Sequence, residues 1–351
     1  MAIAIQSSDL DHERIDGTRV YLSELLKRFG PLRPQEDFLL FHAGEFNPRL
    51  APPSFPNYQE KKLPFPWAWM QTRFAWELFR RPPAKLFLPI QAAPLFLPQA
   101  LEVTATIHDL AWKKYPETFP FEHRLKLNIL LERAVRRADK LICVSEATKR
   151  DLLEAYPCVS EERTRVIHHG FDGAFYSAEI TEEALRTRLK DFGLERGNYI
   201  LYVGALQPRK NLVRLIAAFE ELQARFPEAV LVLAGEEAWL AGGIKEAAKT
   251  SKAASRIIFT GRVSFVDLRI LYRGARFFAF PSLYEGFGLP LLEAFASGTP
   301  VLTADNSSLR EVAGAGALYC QAESIPDIAE KLGMLWQDEA LREKLILAGT
   351  Q

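Results

Sequence analysis

The chain has 351 residues, 48% hydrophobic and 25% charged, which is long enough for two hydrophobic cores and excludes a disordered segment or a disulfide-stapled miniprotein. Lys plus Arg and Asp plus Glu number 44 each, so no net field draws a nucleic acid, and an anionic ligand must be held locally. Cys143, Cys158 and Cys320 show no Cys-x-x-Cys or Cys/His metal spacing, which points to a reducing, cytosolic compartment.

Along the chain, MAIAIQ reads as a first strand, without the basic start and apolar core of a secretory signal. IDGTRVYLSELLKRFG follows as a loop and helix. The proline-rich, aromatic segment 52–98 is different in kind. One reading is an amphipathic, partly basic surface that makes peripheral contact with a membrane, on the inner face of the cell membrane. The other, favoured because aromatic stripes are usually core, is a helix over Ala68–Phe79 packed under a proline-bounded loop. No run of about 18 apolar residues predicts a spanning helix.

From residue 140 onwards, short apolar runs alternate with amphipathic ones. Strands are predicted at Lys140–Val144, Tyr199–Val203, Ala229–Ala234, Arg256–Thr260, Ala275–Phe280 and Thr299–Thr303, and helices at Glu146–Tyr156 and Leu212–Phe226. Leu212, Leu215, Ile216, Phe219, Leu222 and Phe226 share one helix face, as a sheet-covering helix requires. Strand–helix alternation implies an α/β fold with parallel sheets. A polar, glycine-containing stretch between His168 and Asn198 marks a boundary. The expected division is a first domain over 1–170, a linker and first helix over 171–197, and a second domain over 198–351, with a small-molecule site in the cleft between them.

The most informative stretch is PSLYEGFGLPLLEAFASGTPV, residues 281–301. A turn with Glu285, Gly286, Phe287 and Gly288 leads into a helix starting near Pro290. The N–H groups of Phe287, Gly288 and Leu289 then stand at a helix N-terminus, which favours a diphosphate. Glu285 in the loop and Glu293, expected in the first helical turn, can face one ligand at different depths. In GALQPRKNLV, Gly204 opens a loop and Arg209 and Lys210 precede a helix. Two adjacent cations suit a diphosphate leaving group, although alone such a triplet is more often solvated surface. His108 and Asp109 end a strand in ATIHDL. The pair His168 and His169 does not read as a metal site, because neighbours in an extended segment point to opposite faces. Asp9-Leu10-Asp11 beside the N-terminus reads as chance rather than a metal motif.

These segments, in this order, strongly resemble the retaining glycosyltransferases of family 4 (group 1), which imply a GT-B fold of two Rossmann-like α/β domains with parallel sheets facing a central cleft. The carrier is Glu, seven residues, Glu, with Gly-Phe-Gly-Leu inside. ICVSEATKRDL and VIHHGFD support it. The resemblance implies that Glu285 contacts the donor sugar and Glu293 the ribose, and that Lys210 and Arg209 clamp the diphosphate from across the cleft. Arg209 stands in for the Arg usual where this chain has Ala205. It further implies that His108, able to donate and to titrate near neutral pH, contacts the sugar or its phosphate with Asp109 beside it. Gly17 would allow close approach of the phosphates, and the turn at Arg262 and Val263 would meet the base.

The implied activity is transfer of a hexose, mannose-type favoured, with retention of configuration, from a GDP- or UDP-sugar to a glycan or lipid-linked acceptor in cell-surface polysaccharide synthesis. No metal or other cofactor is expected, nor a nucleic-acid partner. A nucleotide-sugar epimerase or hydrolase on the same scaffold, or a catalytically silent binding subunit, remains open. The family comparison also leads one to expect a further helix or two after LREKLILAGT. The stop at Gln351 then predicts a truncated second domain and an under-constrained hinge.

Overall fold

Strands of three to six residues, many of them continuously apolar, form two wholly parallel sheets in the computed structural model, which describes residues 2–351. Such apolar runs belong where both faces of a strand are covered. The first sheet holds β1 (Ala2–Gln6), β2 (Asp37–His42), β3 (Tyr58–Lys62), β4 (Lys85–Leu88), β5 (Glu102–Ile107), β6 (Lys140–Cys143) and β7 (Thr164–Val166), in the order β3-β2-β1-β4-β5-β6-β7. The second holds β8 (Tyr199–Val203), β9 (Val230–Ala234), β10 (Ile257–Gly261), β11 (Phe277–Phe280), β12 (Val301–Ala304) and β13 (Ala317–Cys320), in the order β10-β9-β8-β11-β12-β13. Each order reverses once, at β1/β4 and at β8/β11. The crevice beyond the strand ends at such a reversal is where open α/β sheets hold ligands.

The chain forms two compact units. One runs to Leu110 and resumes at Glu122–Phe171; the other is Ala111–Phe121 with Asp172–Gln351. The excursion Ala111–Phe121 differs from the expected boundaries. Trp239 explains it within the second unit, because its indole N–H donates to the Thr118 carbonyl at 2.9 Å and its ring meets Phe119 at 5.3 Å. The stretch expected as a linker and first helix of the second domain, 171–197, lies in this unit from Asp172 on, with Tyr176 buried and a helix at Glu182–Asp191.

In the second unit Tyr199–Tyr202 of β8 and all of β11 are buried. Each fully buried large side chain contributes roughly 1.5–3 kcal/mol. The helix Leu212–Arg225 covers the sheet with Leu212, Leu215, Ile216, Phe219 and Leu222 inward, as its periodicity predicts, and packs against the helix Ile325–Gln337. In the first unit β2, β3 and β4 are the strands least evident beforehand. β3 reads YQEKK because it is the sheet edge, where charge blocks further pairing.

Segment 52–98 packs only in part as the favoured reading expects. A wide turn, Met70–Phe74, runs into the helix Ala75–Arg80. Phe74 and Leu78 are buried, but Trp76 and Phe79 on the same helical stretch face out. A six-residue helix has only one side against the sheet, and its other side also carries aromatics.

A close approach of two backbones fixes the β8/β9 ends. Gly235 has φ +153°, and a Cβ there would lie 2.0 Å from the Gly204 carbonyl oxygen. Neither backbone can yield without breaking the adjacent ladder. Gly235→Ala is therefore expected to destabilise the chain by more than about 2 kcal/mol, read as a fall in the urea midpoint of the second unit. An unchanged midpoint would show that the crossing can relax.

Candidate functional site

Beyond the β8/β11 reversal, two loops meet. After β8, Gly204 turns the chain at φ +147°, and Pro208–Lys210 form a single 3-10 turn ended by Asn211 in the left-handed region at φ +63°. Asn tolerates that conformation. Its side-chain amide donates to the carbonyls of Pro281 at 3.0 Å and Ala322 at 2.6 Å, tying this loop to the one after β11. The Leu283 N–H donates back to the Arg209 carbonyl at 2.9 Å.

That tie delivers Arg209 and Lys210 to Glu285. Lys210 Nζ lies 2.6 Å from Glu285 Oε1, and Arg209 Nη1 lies 3.0 Å from Oε2 while also donating to the Tyr284 carbonyl. All three side chains are about nine-tenths buried, and Lys210 sits 5.0 Å from the Phe280 ring centre. The expected clamp facing Glu285 from across a cleft is thus corrected: these residues belong to one unit and are in direct contact. Burial pushes the Glu285 carboxyl up, but Arg209 and Lys210 more than offset this and bring it down to about 2.

The Glu285 loop is held from β12. Its N–H donates to Ser307 Oγ at 3.0 Å, and Ser308 Oγ donates to the carbonyls of Glu285 at 2.9 Å and Phe287 at 2.8 Å. Neither serine carries a sequence signal for this role. Gly288 then caps the helix Leu289–Ala296 at φ +109°, with Pro290 in its first turn. Gly286 and Phe287 complete the turn, and Phe287 is buried.

Glu293 is the fifth residue of that helix, one residue further in than a start at Pro290 places it. It accepts from the Tyr272 hydroxyl at 3.0 Å and also bonds the Tyr176 hydroxyl. Burial raises its carboxyl and the two tyrosines only partly counter this. Glu285 and Glu293 thus sit in opposed settings, one held ionised by cations and the other eased toward its neutral form by burial. Sequence reading missed both tyrosines, which reach Glu293 from separate helices.

Nearby, a pocket of about 690 Å³ is lined by Gly235, Glu236, Glu237, Lys245, Phe259 and Arg262, among others. Glu237 pairs with Lys245 at 2.5 Å and Glu236 with Arg262 at 3.5 Å. Arg262 thus stands on its wall. Val263, the next residue, is half-buried at the turn into the helix Phe265–Gly274.

In the first unit His108 follows β5, and the N–H groups of His108 and Asp109 both donate to Gln91 Oε1, at 2.7 and 3.1 Å. His108 Nε2 donates to the Pro89 carbonyl at 2.7 Å. Its ring meets Tyr21 edge-on at 5.2 Å and His169 at 5.4 Å, and His169 stacks on Tyr21 at 4.6 Å. Burial lowers the His108 ring below its usual range despite the Pro89 carbonyl and nearby carboxylates. It is therefore neutral near pH 7, with its one N–H committed and Nδ1 as an acceptor. This corrects the expected titrating donor. His168 is exposed and His169 buried, the opposite orientations expected, and no group of three metal-ligating side chains occurs among the described residues.

Gly17 opens the helix Gly17–Leu32, but Asp16 occupies the cap, accepting from the Arg19 N–H at 3.3 Å and pairing with its guanidinium. The turn before Gly17 is thus capped by a carboxylate. Asp11 binds His42 Nδ1 at 3.1 Å and the N–H groups of Ala43 and Gly44, so the Asp-Leu-Asp triplet is structural.

The family model described as Glycosyltransferase Family 4 matches residues 16–175, and that described as Glycosyl transferases group 1 matches 186–351. The O-antigen chain mannosyltransferase B of Escherichia coli is 28% identical over 354 residues, covering 94% of this chain and 89% of its own. Anabaena HepE, solved in complex with UDP and glucose, aligns with a TM-score of 0.76 at 19% identity, covering 100% of this chain and 94% of its own. WaaG, a glycosyltransferase involved in lipopolysaccharide biosynthesis, gives 0.75 at 17% identity with the same coverage. At these identities the solved structures establish the fold, which is GT-B.

The Glu285 ion pairs carry a pH signature. A carboxyl held at about 2 when folded, against an ordinary 4.5, stabilises fully above the ordinary value and loses that contribution as pH falls toward 2. Urea midpoints between pH 5 and pH 3 are expected to fall less steeply in Glu285→Gln than in the parent, by up to about 1.4 kcal/mol per pH unit. Equal slopes would mean that Glu285 is not held ionised.

Proposed function

The chain belongs to the glycosyltransferases of family 4 and group 1, and we propose that it transfers a hexose, mannose-type, from a nucleoside-diphosphate sugar to a hydroxyl of a glycan or lipid-linked acceptor, with retention of configuration. The observation that carries this is the buried Glu285 bridged by Arg209 and Lys210 beside the glycine-capped N-terminus of Leu289–Ala296. Two cations and one carboxylate leave a net positive charge, and the helix end adds its dipole. As the C1–O bond to the diphosphate breaks, the leaving nucleotide gains negative charge that these groups stabilise. The departing phosphate oxygen takes the proton of the acceptor hydroxyl, whose oxygen bonds C1 on the same face. No side-chain nucleophile is needed, and the cations supply what a divalent metal would.

Glu285 orients the sugar and Glu293 the ribose. His108, neutral with Nδ1 as acceptor, receives a sugar hydroxyl in place of the donating role first expected, and Asp109 flanks it. The 690 Å³ pocket takes the base, with Phe259 available for stacking. Its Glu237 and Lys245 pair complements guanine, a carboxylate accepting from N1–H and N2–H and an ammonium donating to O6. This supports GDP over UDP, although the HepE complex holds UDP. The O-antigen mannosyltransferase relative supports mannose and a role in cell-surface polysaccharide synthesis. The three free cysteines suit a reducing, cytoplasmic setting.

Glu285→Ala and Lys210→Ala are each expected to lower kcat/KM for transfer by at least about 100-fold with folding intact by circular dichroism; near-parental rates would overturn the assignment. GDP-mannose should raise Tm more than UDP-, ADP- or dTDP-sugars. Product anomers read by NMR test retention, and release or epimerisation of sugar from donor alone would favour an epimerase or hydrolase instead.

A further inference from the structure

The aromatic surface of segment 61–98 is unlike the rest of the molecule. Trp67, Trp76, Phe79 and Phe96 are 69%, 65%, 51% and 73% exposed, with Phe65 and Leu95 beside them in the sequence also exposed. Single exposed apolar residues need no explanation, whereas a concentration of large aromatics in about thirty residues does.

The exposure is built rather than incidental. Trp69 is the inward counterpart, stacked on Phe74 at 4.9 Å with its N–H donating to the Leu63 carbonyl at 2.7 Å. Gln71 accepts from the Leu95 N–H at 2.7 Å and donates to the Ala93 carbonyl at 3.4 Å. The loops carrying Phe65–Trp67 and Leu95–Phe96 are thereby fastened to the same helical turn. Between outward Trp67 and inward Trp69, Ala68 adopts φ +48°, a left-handed conformation that costs a non-glycine residue about 1 kcal/mol or more. Trp76 and Phe79 are three residues apart on one helix face, and Arg80 lies one turn from Trp76.

Charge identifies what this surface meets. The whole chain is neutral, but residues 61–98 carry six Lys and Arg against the single acid Glu77; Arg73 pairs with Glu77 at 2.9 Å, Lys85 with Glu102 at 3.4 Å and Lys62 with Glu45, which leaves Lys61, Arg80 and Arg81 in excess. Arg80 and Arg81 are exposed and make no ion pair among the described residues. Rings that prefer the headgroup level, together with guanidinium groups that bind phosphate, match an anionic bilayer surface. No helix of the described residues is long and apolar enough to cross a membrane. We infer that Trp67, Trp76, Phe79 and Phe96, with Arg80 and Arg81, form an interfacial anchor that seats the first unit on an anionic membrane. The inference does not depend on the glycosyl-transfer reading, and its test needs no turnover.

The test is co-sedimentation of the full chain with phosphatidylcholine vesicles, with and without phosphatidylglycerol, at low and high salt, read beside tryptophan emission. Binding is expected only with phosphatidylglycerol, weakened by salt and accompanied by a blue shift. Arg80→Glu with Arg81→Glu should weaken partitioning by at least about 30-fold, the equivalent of two cations at the surface. Trp76→Ser with Phe79→Ser should abolish the blue shift and most binding, and both pairs should keep the parental urea midpoint. If the aromatic pair proves unstable, the arginine pair decides. Absence of binding to anionic vesicles, equal binding by parent and variants, or a self-association that Trp76→Ser with Phe79→Ser removes would each overturn the proposal.

Discussion

The contact of Glu285 with Arg209 and Lys210 is the constraint around which the second unit is arranged. Three ionised side chains are about nine-tenths buried there. Withdrawing one partner from such a set leaves an uncompensated charge and costs roughly 3–5 kcal/mol, whereas an apolar replacement of the whole set is often neutral. The set is therefore poor value as a stabiliser and good value as a locator, because it fixes two loops 75 residues apart in one geometry. Asn211, Ser307 and Ser308 serve the same end, each using a side-chain hydrogen bond to hold backbone that no sheet ladder reaches.

A cation pair bridged by a buried carboxylate is held in one place, its donors desolvated and aimed at Glu285. The same logic separates the two glutamates. Glu285 is kept ionised by its cations, while Glu293 takes its partners from tyrosine hydroxyls and is pushed the other way by burial. His108 is likewise decided by surroundings, its one proton spoken for by the Pro89 carbonyl.

The two units put their aromatic content to different uses. In the second, Phe277, Phe278 and Phe280 of β11 are buried, and Phe280 lies against Lys210 of the ion cluster. In the first, the aromatics of 61–98 are divided between inward Trp69 and Phe74 and outward Trp67 and Trp76. Composition is the same in kind, and only the direction in which the backbone turns each ring distinguishes core from surface.

Much of this was legible in the sequence, for identifiable reasons. Strands β8, β9, β11 and β12 and the helix Leu212–Arg225 follow from uninterrupted apolar runs and a 3.6-residue period, patterns that local chemistry imposes when both sheet faces are covered. Glu285, Gly288, Arg209 and Lys210 stand out because a turn, a helix start and a cation pair each demand particular residue types. β3 was not legible, since an edge strand written YQEKK has no buried face to pattern. Nor was the outward turn of Trp76, because periodicity gives the spacing of a helix face and not its direction. The sequence by itself thus determined the parallel α/β class and most strands of the second unit, and it marked Glu285, Arg209 and Lys210 by their residue types. The tertiary structure alone decided that Glu285 touches both cations, that Tyr176 and Tyr272 hold Glu293, and that His108 is a neutral acceptor. Those outcomes depend on burial and on partners distant along the chain, and no local pattern encodes either.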